Sequence, residues 1–599
     1  MESNGVLQVI LPVCLLITGI YGGQLHTGRS LKMDQALLTF HNSFPESVDV
    51  FYTSDYCYKC LFQPLVSVEG NNSNVSTVIS TKFTLTLQVD SQTRNITLCR
   101  WSQTYEEGGQ YSVWIKKLSA SNTSAFCRHS VDEKPRNAYL PLLVALVVLS
   151  VIALLFVLIP YINRKYNTTK RIKNACCLNQ QSTVDCEVTP TCEPDDVDAK
   201  PKQTRLRSLD TFRGFSLTVM VFVNYGGGGY WFMEHAPWNG LTVADLVMPW
   251  FVFIIGTSVV FAFRSMRRKG VSRVQLLRKL SWRTAVLMLL GFCFLNYSPR
   301  DGPLSWSWLR VPGVLQRLGF TYFVLSLMQT AWGQTPVPAR ASHCRSLVQD
   351  LVPYWPEWVF IILLETLWLC LTFLLPVPNC PAGYLGAGGI GDDGLYPNCT
   401  GGAAGYIDRW MFGDNMFRWP TCRELYRTTM PFDPEGILGT INSVVMGFMG
   451  MQAGKIILCY RGNNVQILSR FLAWAVVLGA SAAILSKCTR DGGFIPVNKN
   501  LWSLSYVTCM GCFSFLLLGS MYVVIDLKGW WGGQPFIYPG MNSILVYVGH
   551  SLLGFYFPFS WELRYQESHW ERLFQSLWAT SLWVLVAFLL YRKRFFLKI

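Results

Sequence analysis

The sequence predicts a polytopic α-helical membrane protein of about eleven transmembrane helices, preceded by a small β-rich domain. Three observations lead there. The chain of 599 residues is 51% hydrophobic and only 15% charged, too little charge for a soluble enzyme of this size. Apolar runs recur along it, joined by short loops that hold clusters of Lys and Arg. One early stretch departs from this pattern and alternates apolar with polar residues, as a half-buried strand does. The 22 Trp and 37 Phe suit the aromatic belts of a bilayer interface. The net charge of +15 lies in loops between apolar runs, where it orients a membrane protein, and so argues against nucleic acid as a partner.

Residues 1–23 hold the apolar run Val6 to Tyr21 followed by Gly22 and Gly23, which reads as a signal peptide. Residues 24–137 form the expected luminal domain, with the alternations Phe83, Leu85, Leu87, Val89 and Tyr111, Val113, Ile115. Cys57, Cys60, Cys99 and Cys127 form an even set there, among glycosylation sequons at Asn71, Asn74, Asn95 and Asn122. That combination points to disulfides in a secretory lumen, with the connectivity open. Residues 138–162 are one uninterrupted apolar crossing, and the basic residues that follow place 163–208 in the cytosol as a linker.

Residues 209–599 are expected to form a ten-helix bundle, with apolar segments near 210–228, 241–263, 283–297, 311–331, 357–377, 436–458, 469–486, 501–524, 536–556 and 573–591. An odd number of crossings from a luminal start puts the C-terminus in the cytosol, as Arg592, Lys593 and Arg594 independently require. The loop of about 378–435 is then luminal; a sequon at Asn398 supports that side, and Cys380, Cys399, Cys422 and Cys488 form a second even set able to pair.

Chemistry concentrates between Asn224 and Trp250, where a glycine run, an aromatic cluster, His235 and Asp245 lie at a membrane face. Ionisable groups there are costly unless they serve a site. His235, with Asn224 and Asp245 beside it, is the expected reaction centre, although Asp245 could equally cap the helix it begins. His550, without polar neighbours in sequence, reads as a packing residue. The run Gly226 to Gly229 lacks the strand and lysine of a P-loop, so close packing or a flexible lid is the simpler reading. Asp210, Arg213, Asn239, Arg310, Asp433, Glu435, Asn498 and Lys499 fall at the ends of separate apolar segments, which suggests a shared wet cavity, on its structural or substrate side. Arg283 and Arg317, with Gln316, Ser505 and Asn542, are the expected donor contacts, because guanidinium groups bind phosphate through paired donors. No metal is expected.

The motifs SLDTFRGF, VNYGGGGYWFMEHAPWNGLTVADLVMPW, RVPGVLQRLG, FDPEGILGT, PVNKNLWSLSY and PFIYPGMNSILVY together resemble the heparan-α-glucosaminide N-acetyltransferase family of lysosomal transmembrane enzymes, in order over most of the chain. The resemblance implies acetyl transfer from cytosolic acetyl-CoA to the terminal glucosamine amine of heparan sulfate in the lysosomal lumen. It also implies a homodimer in the lysosomal membrane, with His235 and Asn224 at the reaction centre. A sugar O-acyltransferase sharing the SLDxxRG element, or a transporter, is the alternative.

Overall fold

The structure, a computed structural model, describes residues 31–93, 96–117, 125–178, 206–295, 309–333, 350–419, 422–563 and 568–597. The expected signal peptide and the sequons at Asn95 and Asn122 lie outside them. Asn71, Asn74 and Asn398 are exposed.

The N-terminal domain is a sandwich of two four-stranded sheets. Strands β1 (Gln35–Asn42), β2 (Val48–Ser54), β3 (Gln63–Val68), β4 (Ser73–Ser80), β5 (Leu85–Ser91), β6 (Thr97–Gln103), β7 (Gln110–Lys117) and β8 (Ala125–Glu133) pair in the orders β4-β1-β7-β8 and β3-β2-β5-β6. Leu38, Phe40, Val50, Leu87, Val89 and Val113 fill the space between the sheets, because their alternation turns every second side chain inward. Cys99 in β6 bonds to Cys127 in β8 and so ties one sheet to the other, while Cys57 bonds to Cys60 just after β2.

The rest is helical: α1 (Leu140–Leu178), α2 (Arg207–Asn224), α3 (Val243–Arg268), α4 (Arg273–Leu290), α5 (Val314–Ala331), α6 (Trp355–Leu374), α7 (Gly402–Phe412), α8 (Ile437–Cys459), α9 (Asn464–Ser486), α10 (Leu504–Met521), α11 (Ser543–Leu553) and α12 (His569–Arg592). Helix α1 runs past the expected boundary at residue 162, since 163–178 contain no Gly or Pro to stop it. Each of the eleven apolar segments contains helix. Among the described residues, six stretches are long and apolar enough to cross a membrane by length and composition, those of α3, α6, α8, α9, α10 and α12; the expected eleven crossings are not reached by that measure. Part of the shortfall has a physical cause. Helices such as α2 and α5 carry Asp210, Arg213, Gln316 and Arg317, which lower their hydropathy.

Helix α8 is the hub, with 89% of its apolar window buried against 22% for the window that includes α6. It packs on α3 through missing side chains: a Cβ on Gly450 would lie 1.9 Å from the Phe253 carbonyl oxygen, so the two backbones touch. The segment expected as one helix over 536–556 is broken into Ile537–Met541 and α11 at Asn542. Pro539 and Gly540 account for the break. Gly540, Met541, Ser543 and Ile544 line an internal cavity, where irregular backbone is tolerated at membrane depth.

Candidate active site

The site begins with a loop. Helix α2 ends at Asn224, and Gly226 to Gly229 follow with φ between 54° and 96°, a left-handed run open to glycine and strained for other residues. A turn of 3-10 helix, Trp231–Met233, then delivers His235. The loop closes where Thr242 and Asp245 form a reciprocal capping box at the start of α3.

Asp245 does two jobs with one carboxylate. Oδ2 accepts from the Thr242 N–H at 3.2 Å, the Thr242 hydroxyl at 2.9 Å and the Ala236 N–H at 3.2 Å, which caps α3 and folds the loop back. Oδ1 lies 2.7 Å from His235 Nδ1. A fully buried carboxylate at that nitrogen assigns its hydrogen to Nδ1 and leaves the Nε2 lone pair as the working atom. The Asp245 side chain is 0% exposed and that of His235 is 51% exposed, so the imidazole is held from behind and open in front. Tyr506 adds a third support, donating its hydroxyl to the Asp245 carbonyl at 2.5 Å.

His235 opens into a cavity of about 480 Å³. Its α3 wall runs from Ala244 to Phe263, roughly 28 Å of helix at ~1.5 Å per residue, close to the ~30 Å of a bilayer core. Asn224, His235, Glu435 and Lys499 line the end beneath the β-domain; Arg213, Ser258 and Arg283 line the deeper part. Asn224 is fixed by His550, whose Nε2 accepts from the Asn224 amide at 2.9 Å while its Nδ1 donates to the Val546 carbonyl at 3.1 Å. One amide N–H of Asn224 is thereby used and the other is left.

At the deep end, Arg213 donates to Ser258 at 2.6 Å and pairs with Asp210 at 3.3 Å. Arg283 stacks over Tyr322 at 4.7 Å, and its buried Nε has no hydrogen-bond partner. Among the described residues no carboxylate pairs with Arg283 within salt-bridge range, so its charge stays available for an anionic ligand.

A network of loop residues supports the upper end. Arg310 grips Asp433 at 2.5 and 2.9 Å and also bonds Glu435. Burial pushes the Glu435 carboxyl up, but Arg310, Lys499 and Arg317 outweigh it and hold the group down at about 2. Asn498 donates to Asn239 at 3.0 Å, and Asn239 to Asp491 at 2.9 Å. The β-domain closes over this end: Lys82 pairs with Glu234 at 3.1 Å, Phe83 and Tyr56 pack edge-on against Trp231, and Arg490 donates to the Asp55 carbonyl at 2.9 Å.

An imidazole backed by a carboxylate, an amide donor and a cavity lined by a guanidinium with no carboxylate partner among the described residues suit acyl transfer. No family model matches the chain, but two curated relatives do. Human heparan-alpha-glucosaminide N-acetyltransferase is 47% identical, with 95% of this chain and 88% of the relative covered; the mouse protein of that name is 47% identical, with 95% and 89% covered. The chain belongs to the heparan-alpha-glucosaminide N-acetyltransferase family. It is therefore an acetyltransferase and a multi-pass membrane protein.

Within this family member, the residues expected to hold the donor separate. Arg283 lines the cavity, whereas Arg317, Gln316, Ser505 and Asn542 do not. Arg317 gives its Nη2 to the carbonyls of Pro434 and Gly436 at 3.0 and 3.1 Å, while its buried Nη1 has no partner among the described residues. Ser505 bonds the Pro496 carbonyl at 2.8 Å, and Asn542 fastens Phe595 and Leu597 at 2.9 and 3.1 Å. Gln316 packs against Gly291 with both amide atoms unpartnered. Among the second set of cysteines, Cys380 bonds to Cys399, but Cys422 and Cys488 are free thiols; Cys422 turns instead against the Pro237 carbonyl. The glycine run does not line the cavity, and the N–H groups of Gly226, Gly228 and Gly229 are already bonded. Sequence reasoning missed Tyr506 and undervalued His550. The Thr242-x-x-Asp245 cap was legible as a pattern; the hydroxyl that reaches it from α10 was not.

Proposed function

We propose that this acetyltransferase moves acetyl from acetyl-CoA, entering from the cytosol, to the terminal glucosamine amine of heparan sulfate in the lysosomal lumen, with His235 as general base. The observation that carries the reading is the His235–Asp245 pair at the mouth of a cavity that follows α3 for the depth of a bilayer. The β-domain side is taken as luminal, which puts the end of α12 in the cytosol. The resemblance extends the reading to a homodimer in the lysosomal membrane.

In an acidic lumen the amino sugar is an ammonium and must lose a proton before it attacks. His235 Nε2 takes that proton, and Asp245 stabilises the imidazolium that results. The amine nitrogen bonds to the thioester carbon, and the tetrahedral oxyanion accepts the free N–H of Asn224, a contact worth about 3 kcal/mol in comparable sites. His235 passes that first proton to solvent and takes a second from the positively charged nitrogen of the adduct; collapse then breaks the C–S bond, and His235 gives this proton to the departing thiolate, so each turnover releases one proton. Arg283 offers a phosphate contact deeper in the cavity. One imidazole serves this ternary complex without a second base, which favours it over an acetyl-histidine intermediate.

Two measurements test the reading. Purified protein should acetylate glucosamine but not N-acetylglucosamine, which lacks the free amine; transfer to the latter would instead support an O-acyltransferase. A single turnover with radiolabelled acetyl-CoA and no acceptor should leave no label on the protein. Label retained by the wild type and lost in His235→Ala would establish the covalent route.

A further inference from the structure

We propose that His569 is a positioning residue that fastens the loop carrying His235 to the β-domain, so that the β-domain acts on the transfer step itself. This rests on the reading of His235 as the base. His569, the first residue of α12, is 4% exposed. Its Nδ1 lies 2.9 Å from the Gly228 carbonyl oxygen, and its Nε2 lies 3.1 Å from Glu107 and 3.3 Å from Asp34. Every partner is an acceptor. Both ring nitrogens must then carry hydrogen, and the ring sits as an imidazolium between two carboxylates.

The placement gives this triad its meaning. Asp34 immediately precedes β1, Glu107 lies in the turn between β6 and β7, and Gly228 belongs to the glycine run. Tyr230 stacks on the ring at 4.4 Å and donates its hydroxyl to the Ala138 carbonyl at 2.9 Å, just ahead of α1. The β-domain, α1, α12 and the glycine loop therefore meet at one side chain. Lys82 holds Glu234, the residue before His235, from the same domain. The stretch from Gly228 to Glu234 is thus anchored at both ends, and the imidazole that follows is delivered to Asp245 with little freedom. Holding a reacting group in place in this way is worth large rate factors.

The same three side chains are close enough together to ligate a divalent ion. The Nε2 atom lies in ion-pair range of both carboxylates and hydrogen-bonds Asp34 at 3.3 Å, while Nδ1 is already committed to the Gly228 carbonyl, so the ion pair is the reading this proposal takes. Once Asp34 or Glu107 is neutralised, the ring loses an anionic partner and the loop loses a tether.

The test compares full-length wild type with His569→Gln, with Asp34→Asn/Glu107→Gln, and with all three substitutions together. His569→Gln leaves two partly buried carboxylates facing each other, and kcat should fall about a hundredfold, the scale of a ~1 Å misplacement, while KM for acetyl-CoA stays within twofold. The triple variant leaves no charge unpaired and keeps amide donors at the junction, so most of kcat should return. Should His569→Gln not accumulate as folded protein, Asp34→Asn/Glu107→Gln asks the same question, with a kcat loss about tenfold expected. Unchanged kcat per folded molecule, with only yield or Tm reduced, overturns the proposal. So does a stoichiometric divalent metal whose chelation abolishes activity. If His235→Ala stays active, the base reading fails; if it is inactive while the His569 variants keep normal kcat, only the proposal about His569 fails.

Discussion

The two ends of the cavity differ in how His235 and Arg283 are held. Beneath the β-domain the polar groups hold one another: Asp245 is saturated by Thr242, Ala236 and His235, Asn224 is held by His550, and Arg310 is spent on Asp433 and Glu435. At the deeper end Arg283 touches a ring face and has no anionic partner within salt-bridge range among the described residues. A site arranged in advance lowers the reorganisation needed when charge develops, whereas a free cation is suited to a ligand that brings its own negative charge. Under the proposed function, chemistry and donor capture are separable along this cavity, and substitutions should divide the same way.

The largest effect should come from His235→Ala, with kcat reduced by about 10³-fold or more and little change in donor KM; near-wild-type turnover in folded protein would remove the ring from the mechanism. Asp245→Asn should follow at about 10²–10³-fold, because its amide would present an N–H to Nδ1 and favour the wrong tautomer; a circular-dichroism check separates this from loss of the α3 cap. Asn224→Ala should cost about 10²-fold in kcat if it serves the oxyanion. Arg283→Gln should reverse the signature, raising donor KM about tenfold with kcat preserved. A fall in kcat alone would erase the distinction between the ends.

The smallest effect concerns stability. Burial pushes the Asp408 carboxyl up from 3.8 to about 7, against the pull of the Ile437 N–H that it accepts and of Arg317 and Arg409. Between about 4 and about 7 the folded state holds a proton that the unfolded chain has lost, so stability falls as pH rises through that window. Asp408→Asn should flatten this slope, read as Tm against pH, while kcat is retained. Glu435 runs the other way: depressed to about 2, it stays ionised at any mildly acidic pH, and its contribution is lost only as pH falls towards that value.

Much of this architecture was legible in the residues. The β-domain followed from period-two alternation, and helix lies within each apolar segment because hydrophobic length is a local property. The Thr242-x-x-Asp245 cap, the glycine run and the company around His235 were all readable within thirty residues. What escaped were pairings across distance. Nothing near Asn224 announces His550, nor does Asp245 announce Tyr506. Arg317 has the character of a phosphate ligand until folding turns it to the carbonyls of residues 434 and 436. Cys422 belongs to an even set of cysteines but faces Pro237, because the loop around Tyr426 packs on the segment at Cys57 instead of on Cys488. The broken helix at Asn542 was masked by the apolar residues around Pro539.

A passage as long as a bilayer is also a potential leak. Between Ala244 and Ser258 its α3 wall consists of Val247, Met248, Phe251, Ile254 and Ile255, side chains that give a hydrated ion nothing with which to replace its water. Under the proposed function, a donor with a long, partly apolar arm lies along that stretch, whereas a small hydrated ion finds no ligand on this wall.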